Sequence, residues 1–286
     1  MASQGATEPL KAEDWAGEMG ERWLANLDRF EAMIAPIGDA MLARAAHEPG
    51  ERVIDIGPGG GATTRAIARA VGPQGEALGI DISPSLVVEA TRRAEQEAIP
   101  NVRFLSADAA DVTLDGPRYG RLFSRFGSMF FSDPVSAFAN LRSLLTDDGR
   151  IDLAVWGPPR ENLWMMEMMG KVREHVEVSR AEPRAPGPFA FEDLDYLREV
   201  LTKAGFGGIA IDAYEGRQAI GGPDASPQEA LDMVLSSMGI GRVVDEQDTA
   251  KQAAIRADLL ALFENRHVPG EGVLMAAKAW LVSANC

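Results

Sequence analysis

The chain has 286 residues, 46% hydrophobic and 25% charged, with a mean hydropathy of −0.10. That is enough for one large α/β domain, or one domain plus an inserted cap. Forty-three acidic residues against 28 basic give a formal charge of −15 and a pI near 4.7. Phosphate backbones need a basic surface, so nucleic acid is excluded as the expected partner and a small molecule is favoured. The single cysteine, Cys286, is the last residue, which excludes an intrachain disulfide and a cysteine metal cluster. No leader pattern or membrane span is visible, so a cytoplasmic protein is expected; a homodimer stays open.

In chain order, residues 1 to about 10 read as a loose polar tail, and residues 1–48 as a whole as an N-terminal helical cap. Over residues 14–45, Trp15, Trp23, Leu24, Leu27, Phe30, Met33 and Ile34 recur at three- and four-residue spacings, the helical period. Pro36-Ile37-Gly38 is expected to break this stretch. Trp15 and Trp23 are expected to pack in the core rather than touch a ligand.

Residues 53–56 form a short β-branched run with one carboxylate, Asp55. Gly57-Pro58-Gly59-Gly60-Gly61 follows, and a helix opens at Ala62. Glycine takes positive φ and lets a ligand approach the backbone, and the helix start beyond it offers free N–H groups. At the first βα crossing of an α/β sheet this loop is a nucleotide-type site. Two ligand classes compete for it. Gly57-x-Gly59-x-x-Ala62 fits the dinucleotide fingerprint of an oxidoreductase. Gly57-x-Gly59-x-Gly61 preceded by Asp55 resembles the first motif of the class I S-adenosylmethionine-dependent methyltransferases. Asp55 separates the two, because a carboxylate beside the loop repels a pyrophosphate and tolerates a ligand carrying an ammonium and a sulfonium.

Residues 76–81 read as the second strand, ending in Asp81 at the usual distance for the carboxylate that accepts from ribose hydroxyls. Its alternative role, capping the helix near Pro84, can be filled by Ser83. The resemblance implies that Ile82 lies against the adenine, and that Asp108 and Ala109, after a third strand at 102–105, read the adenine edge. It also implies that residues 120–134, with the fourth strand at 120–124, are similar to the corresponding segment of small-molecule methyltransferases related to ubiquinone and menaquinone biosynthesis. Ser124 and Arg125 are then cofactor contacts, and Met129 and Phe130 face the acceptor or the core. The Asp/Asn-Pro-Pro-Tyr/Phe motif of methyltransferases acting on DNA bases and protein glutamine is absent.

A helix is expected over 137–145, a turn at Asp147-Asp148-Gly149 and a fifth strand over 150–156. The resemblance is good over about residues 50–158, so residues 49–158 are read as the cofactor-binding half of the core. Residues 159–286 then hold lid helices and the C-terminal half. There Trp164, Met165, Met168 and Met169 belong to an adaptable apolar cluster that forms either a substrate lid or a core helix. A helix over 189–204, a sixth strand over 209–214, helical inserts over 226–238 and 246–264, and a last strand over 272–282 complete the chain. The family places that last strand antiparallel between the fifth and sixth. The expected fold is therefore a doubly wound, Rossmann-like seven-stranded sheet with an N-terminal cap and lid insertions. The expected cofactor is S-adenosyl-L-methionine, the expected acceptor a small, largely apolar molecule. A non-catalytic S-adenosylmethionine-binding protein is the further alternative. Of the three histidines, His47 reads as structural, His267 falls in a loop before the last strand, and His175 in the lid segment is the candidate base. No metal constellation is visible.

Overall fold

The computed structural model of the chain describes residues 12–178 and 182–286. The polar tail expected at residues 1 to about 10 lies outside them. Strands β1 (Arg52–Ile56), β2 (Glu76–Asp81), β3 (Val102–Ser106), β4 (Tyr119–Arg125), β5 (Leu145–Trp156), β6 (Gly207–Ile220), β7 (His267–Val268) and β8 (Gly272–Asn285) form one mixed sheet. Its order is β3-β2-β1-β4-β5-β8-β6, with the two-residue β7 paired to β8. Strands β1 to β5 pair in parallel, and β8 runs antiparallel to both β5 and β6. This is the doubly wound arrangement with an inserted last strand, plus the short β7.

The order reverses beside β1, whose neighbours are β2 and β4. Crevices outside the carboxyl ends of strands at such a point bind ligands. Val53, Ile54, Leu78, Leu122 and Phe123 are fully buried, as expected for parallel strands covered on both faces. Helix Ala62–Val71 opens directly after the glycine loop, with Gly61 at φ 76° as its N-cap. Helix Pro84–Gln96 starts at Ser83, whose hydroxyl accepts from Leu86 N–H, so Ser83 is indeed the cap and Asp81 is left for other work.

Several local expectations need correction. The N-terminal stretch breaks at Gly17 and Asn26, giving helices Ala12–Ala16, Glu18–Ala25 and Leu27–Ala45, and the last runs straight through Pro36. Pro36 is itself exposed, on the solvent side of the helix, where losing one backbone hydrogen bond costs least. Gly38 is there for packing: a Cβ would come within 2.8 Å of Arg125 Nη1. The turn expected at 147–149 is instead a bulge inside β5, where the pairing slips from Tyr119↔Leu145 to Arg121↔Arg150. The helix expected from 189 starts only at Leu194, capped by Asp193. The insert expected over 246–264 is the single helix Thr249–Arg266, and a short helix not expected from sequence, Gly239–Asp245, precedes it. Among the described residues no helix is long and apolar enough to cross a membrane.

Candidate active site

Above the carboxyl ends of β1, β2 and β4 lies a cavity enclosing ≈ 1470 Å³ of non-atom space, mouth included. One wall is the glycine loop with the ends of β2 and β3: Gly57, Pro58, Gly59, Asp81, Ile82, Asp108 and Ala109 all line it. The loop is held in shape by its neighbours. Gly57 sits at φ 64°, and a Cβ there would come within 2.7 Å of Gly127 Cα. Only glycine combines that dihedral with that approach.

Asp81 ties the wall together. Its Oδ2 accepts from Gly59 N–H and its Oδ1 from Ser83 N–H, both at 3.0 Å. Each oxygen keeps a second lone pair for a ligand. Burial pushes the carboxyl up to about 6 against the pull of those two N–H groups. Asp108 Oδ1 accepts from Ala110 N–H at 2.8 Å. This bond makes Asp108 a local cap of the turn that follows, yet the residue still lines the cavity.

Asp55 stands behind the loop. Its Oδ2 accepts from the hydroxyls of Thr63 and Thr64, each at 2.7 Å, and so locks β1 to the first turn of the next helix. Burial pushes it up to about 6, while the two hydroxyls and Arg125 pull it down. Gly61 and Ser124 also stay outside the cavity lining. Gly61 packs against Phe104, and Ser124 donates to Ile56 C=O at 2.9 Å.

The opposite walls are apolar. Met129, Phe130, Trp164 and Met165 line the cavity. Trp156 N–H points at Met129 Sδ at 3.4 Å. Trp164 is set by Asn162, a fully buried amide whose four bonds are all made. It donates to Gly157 and Pro158 carbonyls and accepts from Trp164 Nε1 and Lys278 N–H. Phe126 holds φ 66°, rare for a bulky residue, and stacks on Trp156 at 4.0 Å between ring centroids. Met168 is in the core rather than the cavity, and Met169 is half-buried against that core. His175 is not brought to the cavity either. Its Nε2 lies 2.7 Å from Asp258 Oδ2, at an open depression formed by residues 173–178. His47 lies at the other end of β1, bonded to Glu51.

Residues 53–149 match the family described as "Methyltransferase domain". Aklanonic acid methyltransferase DauC of Streptomyces sp. is 32% identical over 116 residues, 41% of this chain and 53% of that one. The ubiquinone/menaquinone biosynthesis C-methyltransferase UbiE of Stutzerimonas stutzeri is 29% identical over 184 residues, 58% and 68% of the two chains. The chain spans about half the length of the first curated relatives it matches. A Haemonchus contortus phosphoethanolamine N-methyltransferase 2 structure, with phosphomonomethylethanolamine and S-adenosylhomocysteine, superposes with a TM-score of 0.57. It is 14% identical, covering 96% of this chain and 60% of that one, and shows the fold alone.

Residues 53–149 do not build the cavity by themselves. Sequence reasoning placed Trp15 and Trp23 in the core, whereas both line the cavity, together with Met19, Phe30 and Glu31. Trp15 meets Phe130 edge-on at 5.1 Å, and Trp23 stacks on Phe30 at 4.0 Å. The cap helices are anchored by Asn26 to Ser237 at 2.6 Å and by Arg93 to Asp28 and Glu31. The signal was in the sequence, as three large aromatics within sixteen residues ahead of the first strand. Helical spacing alone cannot say whether such a stripe faces a core or a hollow.

Proposed function

We propose that this chain transfers a methyl group from S-adenosylmethionine to a small, largely apolar acceptor. The observation that carries the reading is the cavity itself, with a glycine loop and strand-end carboxylate on one side and aromatic and methionine side chains on the other. The wall suits this cofactor better than a dinucleotide. Gly59 N–H is already engaged by Asp81, and Asp55, Asp81 and Glu31 surround the loop. A pyrophosphate would meet carboxylates where it needs free N–H groups, whereas a ligand with a positive sulfonium and ammonium gains from them.

Asp81 would accept from the ribose hydroxyls, Ile82 would lie against the adenine, and Asp108 with Ala109 would read its edge. The bound cofactor supplies a methyl group on an excellent leaving group. The chain's task is then to align the acceptor, keep water out and stabilise the sulfonium until transfer. Phe126, Phe130, Trp156 and Trp164 provide the dry walls, and Met165 an adaptable one. Relatives named for aklanonic acid and for ubiquinone/menaquinone biosynthesis support a small-molecule acceptor. The charge of −15 fits that better than a nucleic acid.

The test is calorimetric titration with S-adenosylhomocysteine and with NAD, paired with methyl transfer to a panel of phenolic, quinone-like and carboxylic acceptors. Binding of the former alone, with transfer to a panel member, is expected. Binding of NAD alone would overturn the reading in favour of an oxidoreductase.

A further inference from the structure

Strand β6 closes one side of the sheet, and nothing pairs with its outer edge among the described residues. Every second residue of such a strand turns its N–H and C=O away from its only neighbour. Beyond the ladder with β8, two backbone groups of β6 have partners among the described residues. Ile209 C=O accepts from Arg198, and Ala219 C=O accepts from Gly222 N–H. Proteins blunt a free edge with short strands, proline, lysine or bulges. The other edge strand, β3, follows that rule with five residues. β6 does not: it runs for 14 residues without proline or lysine, and its one irregularity lies at its start, between Gly207 and Ala210.

The side chains along this edge are small or charged. Ala213, Glu215, Arg217 and Ala219 share one face of the strand, and Gly216 lies midway between the two charges. Asp212 is taken by Arg44 at 2.8 Å. Glu215 reaches Lys278 at 3.0 Å, yet its side chain stays 70% exposed. Arg217 is exposed and makes no hydrogen bond or ion pair among the described residues.

A two-fold axis through Gly216 sets the strand antiparallel to its own copy. Arg217 then stands opposite Glu215 of the second copy, and Glu215 opposite Arg217, with Ala213 and Ala219 facing each other on either side. Opposite charges facing across strands stabilise a pair, and like charges destabilise it. Moving the axis one residue either way sets Glu215 or Arg217 against its own copy. The charges thus select one register, as edge pairing requires.

We propose that β6 is a dimerisation edge. Two copies of this chain join their β6 strands antiparallel about Gly216, held by backbone ladder bonds and two Glu215–Arg217 pairs. The joint is isologous and consumes both free edges, so it closes at the dimer. No residue of β6 lines the cavity, so the joint leaves the candidate site as it is.

Analytical ultracentrifugation of the full chain over a range of concentrations tests it, and a monomer–dimer equilibrium is expected. Arg217→Glu sets like charges opposite each other twice and should weaken the dimer roughly 5- to 100-fold. Glu215→Arg should weaken it as well. The double variant Glu215→Arg/Arg217→Glu should restore it, because the exchanged charges again face each other; damage to the fold would not be rescued in this way. Hydrogen exchange on the wild-type chain gives a second readout that needs no variant. Amides within residues 211–218 should gain protection as concentration rises through the dimer Kd, and those of β3 should not. A monomer at every concentration would overturn the proposal. So would a dimer that neither single variant weakens, or one whose added protection lies away from β6.

Discussion

Asp81 carries the sharpest chemistry in the wall, because its charge is both needed and costly. Burial lifts its carboxyl from an ordinary 3.8 to about 6, and Asp55 is lifted to about 6 by the same cause. The unliganded fold therefore holds protons on these groups that the unfolded chain has released. Their contribution to stability is full below about pH 4 and is lost as pH rises through about 6. On the proposed reading ligand binding has the opposite preference, since an ionised Asp81 would accept from ribose hydroxyls more strongly than a protonated one. Affinity for S-adenosylhomocysteine should thus weaken as pH falls through about 6, and Asp81→Asn should flatten that dependence. A slope surviving in Asp81→Asn, measured by calorimetry between about pH 5 and pH 7.5, would assign the proton to Asp55 or Glu31 instead. At pH 7.5, Asp81→Ala should cost about 2 to 4 kcal/mol of affinity, the worth of two charge-assisted hydrogen bonds.

At the level of elements, helix Leu163–Arg173 shows why a methionine cluster reads ambiguously. Four of its residues are methionines, and they divide by face: Met168 is fully buried, Met165 lines the cavity, Met166 is 37% exposed and Met169 is half-buried. Met168→Ala should therefore destabilise the fold by about 2 to 5 kcal/mol, with acceptor KM unchanged. Met165→Ala should raise KM or broaden acceptor range at little cost in melting temperature; if it melts early with normal kinetics, it too is core. The glycine loop, by contrast, was legible residue by residue, because a strand of β-branched residues, four glycines in five positions and a helix start leave few alternatives. Strand β2 and helix Ala62–Val71 fall at their expected boundaries for the same reason. What could not be read were facts settled by tertiary contact. Helix Leu27–Ala45 continues through Pro36 because that side faces water. His175 faces Asp258 rather than the cavity, and Arg125 finds room only because Gly38 lies across from it.

For the whole molecule, the order of the sheet separates the parts that make the fold from those that complete the site. Strand β8 is the last element in sequence but lies inside the sheet, paired with β5 over residues 150–156 and with β6 over 207–220. Its removal would leave two strands without a common partner, so a chain lacking residues 272–286 should yield no cooperatively folded protein. The helices before Leu27 are the reverse case. They pair with no strand and are held by a few bonds, Asn26 to Ser237 among them, and by aromatic contacts over the cavity. A chain starting at Leu27 keeps the sheet, the glycine loop and Asp81, and loses Trp15, Met19 and Trp23 from the wall. It should still unfold in one transition, with S-adenosylhomocysteine binding weakened roughly 10- to 100-fold by the opened cavity. Solvent should then quench the remaining tryptophan fluorescence more readily, since Trp156 and Trp164 lose their cover. Unchanged affinity in the shortened chain would mean that these helices do not wall the site in solution. Loss of the folding transition itself would mean that they belong to the core, as the spacing of their aromatics first suggested.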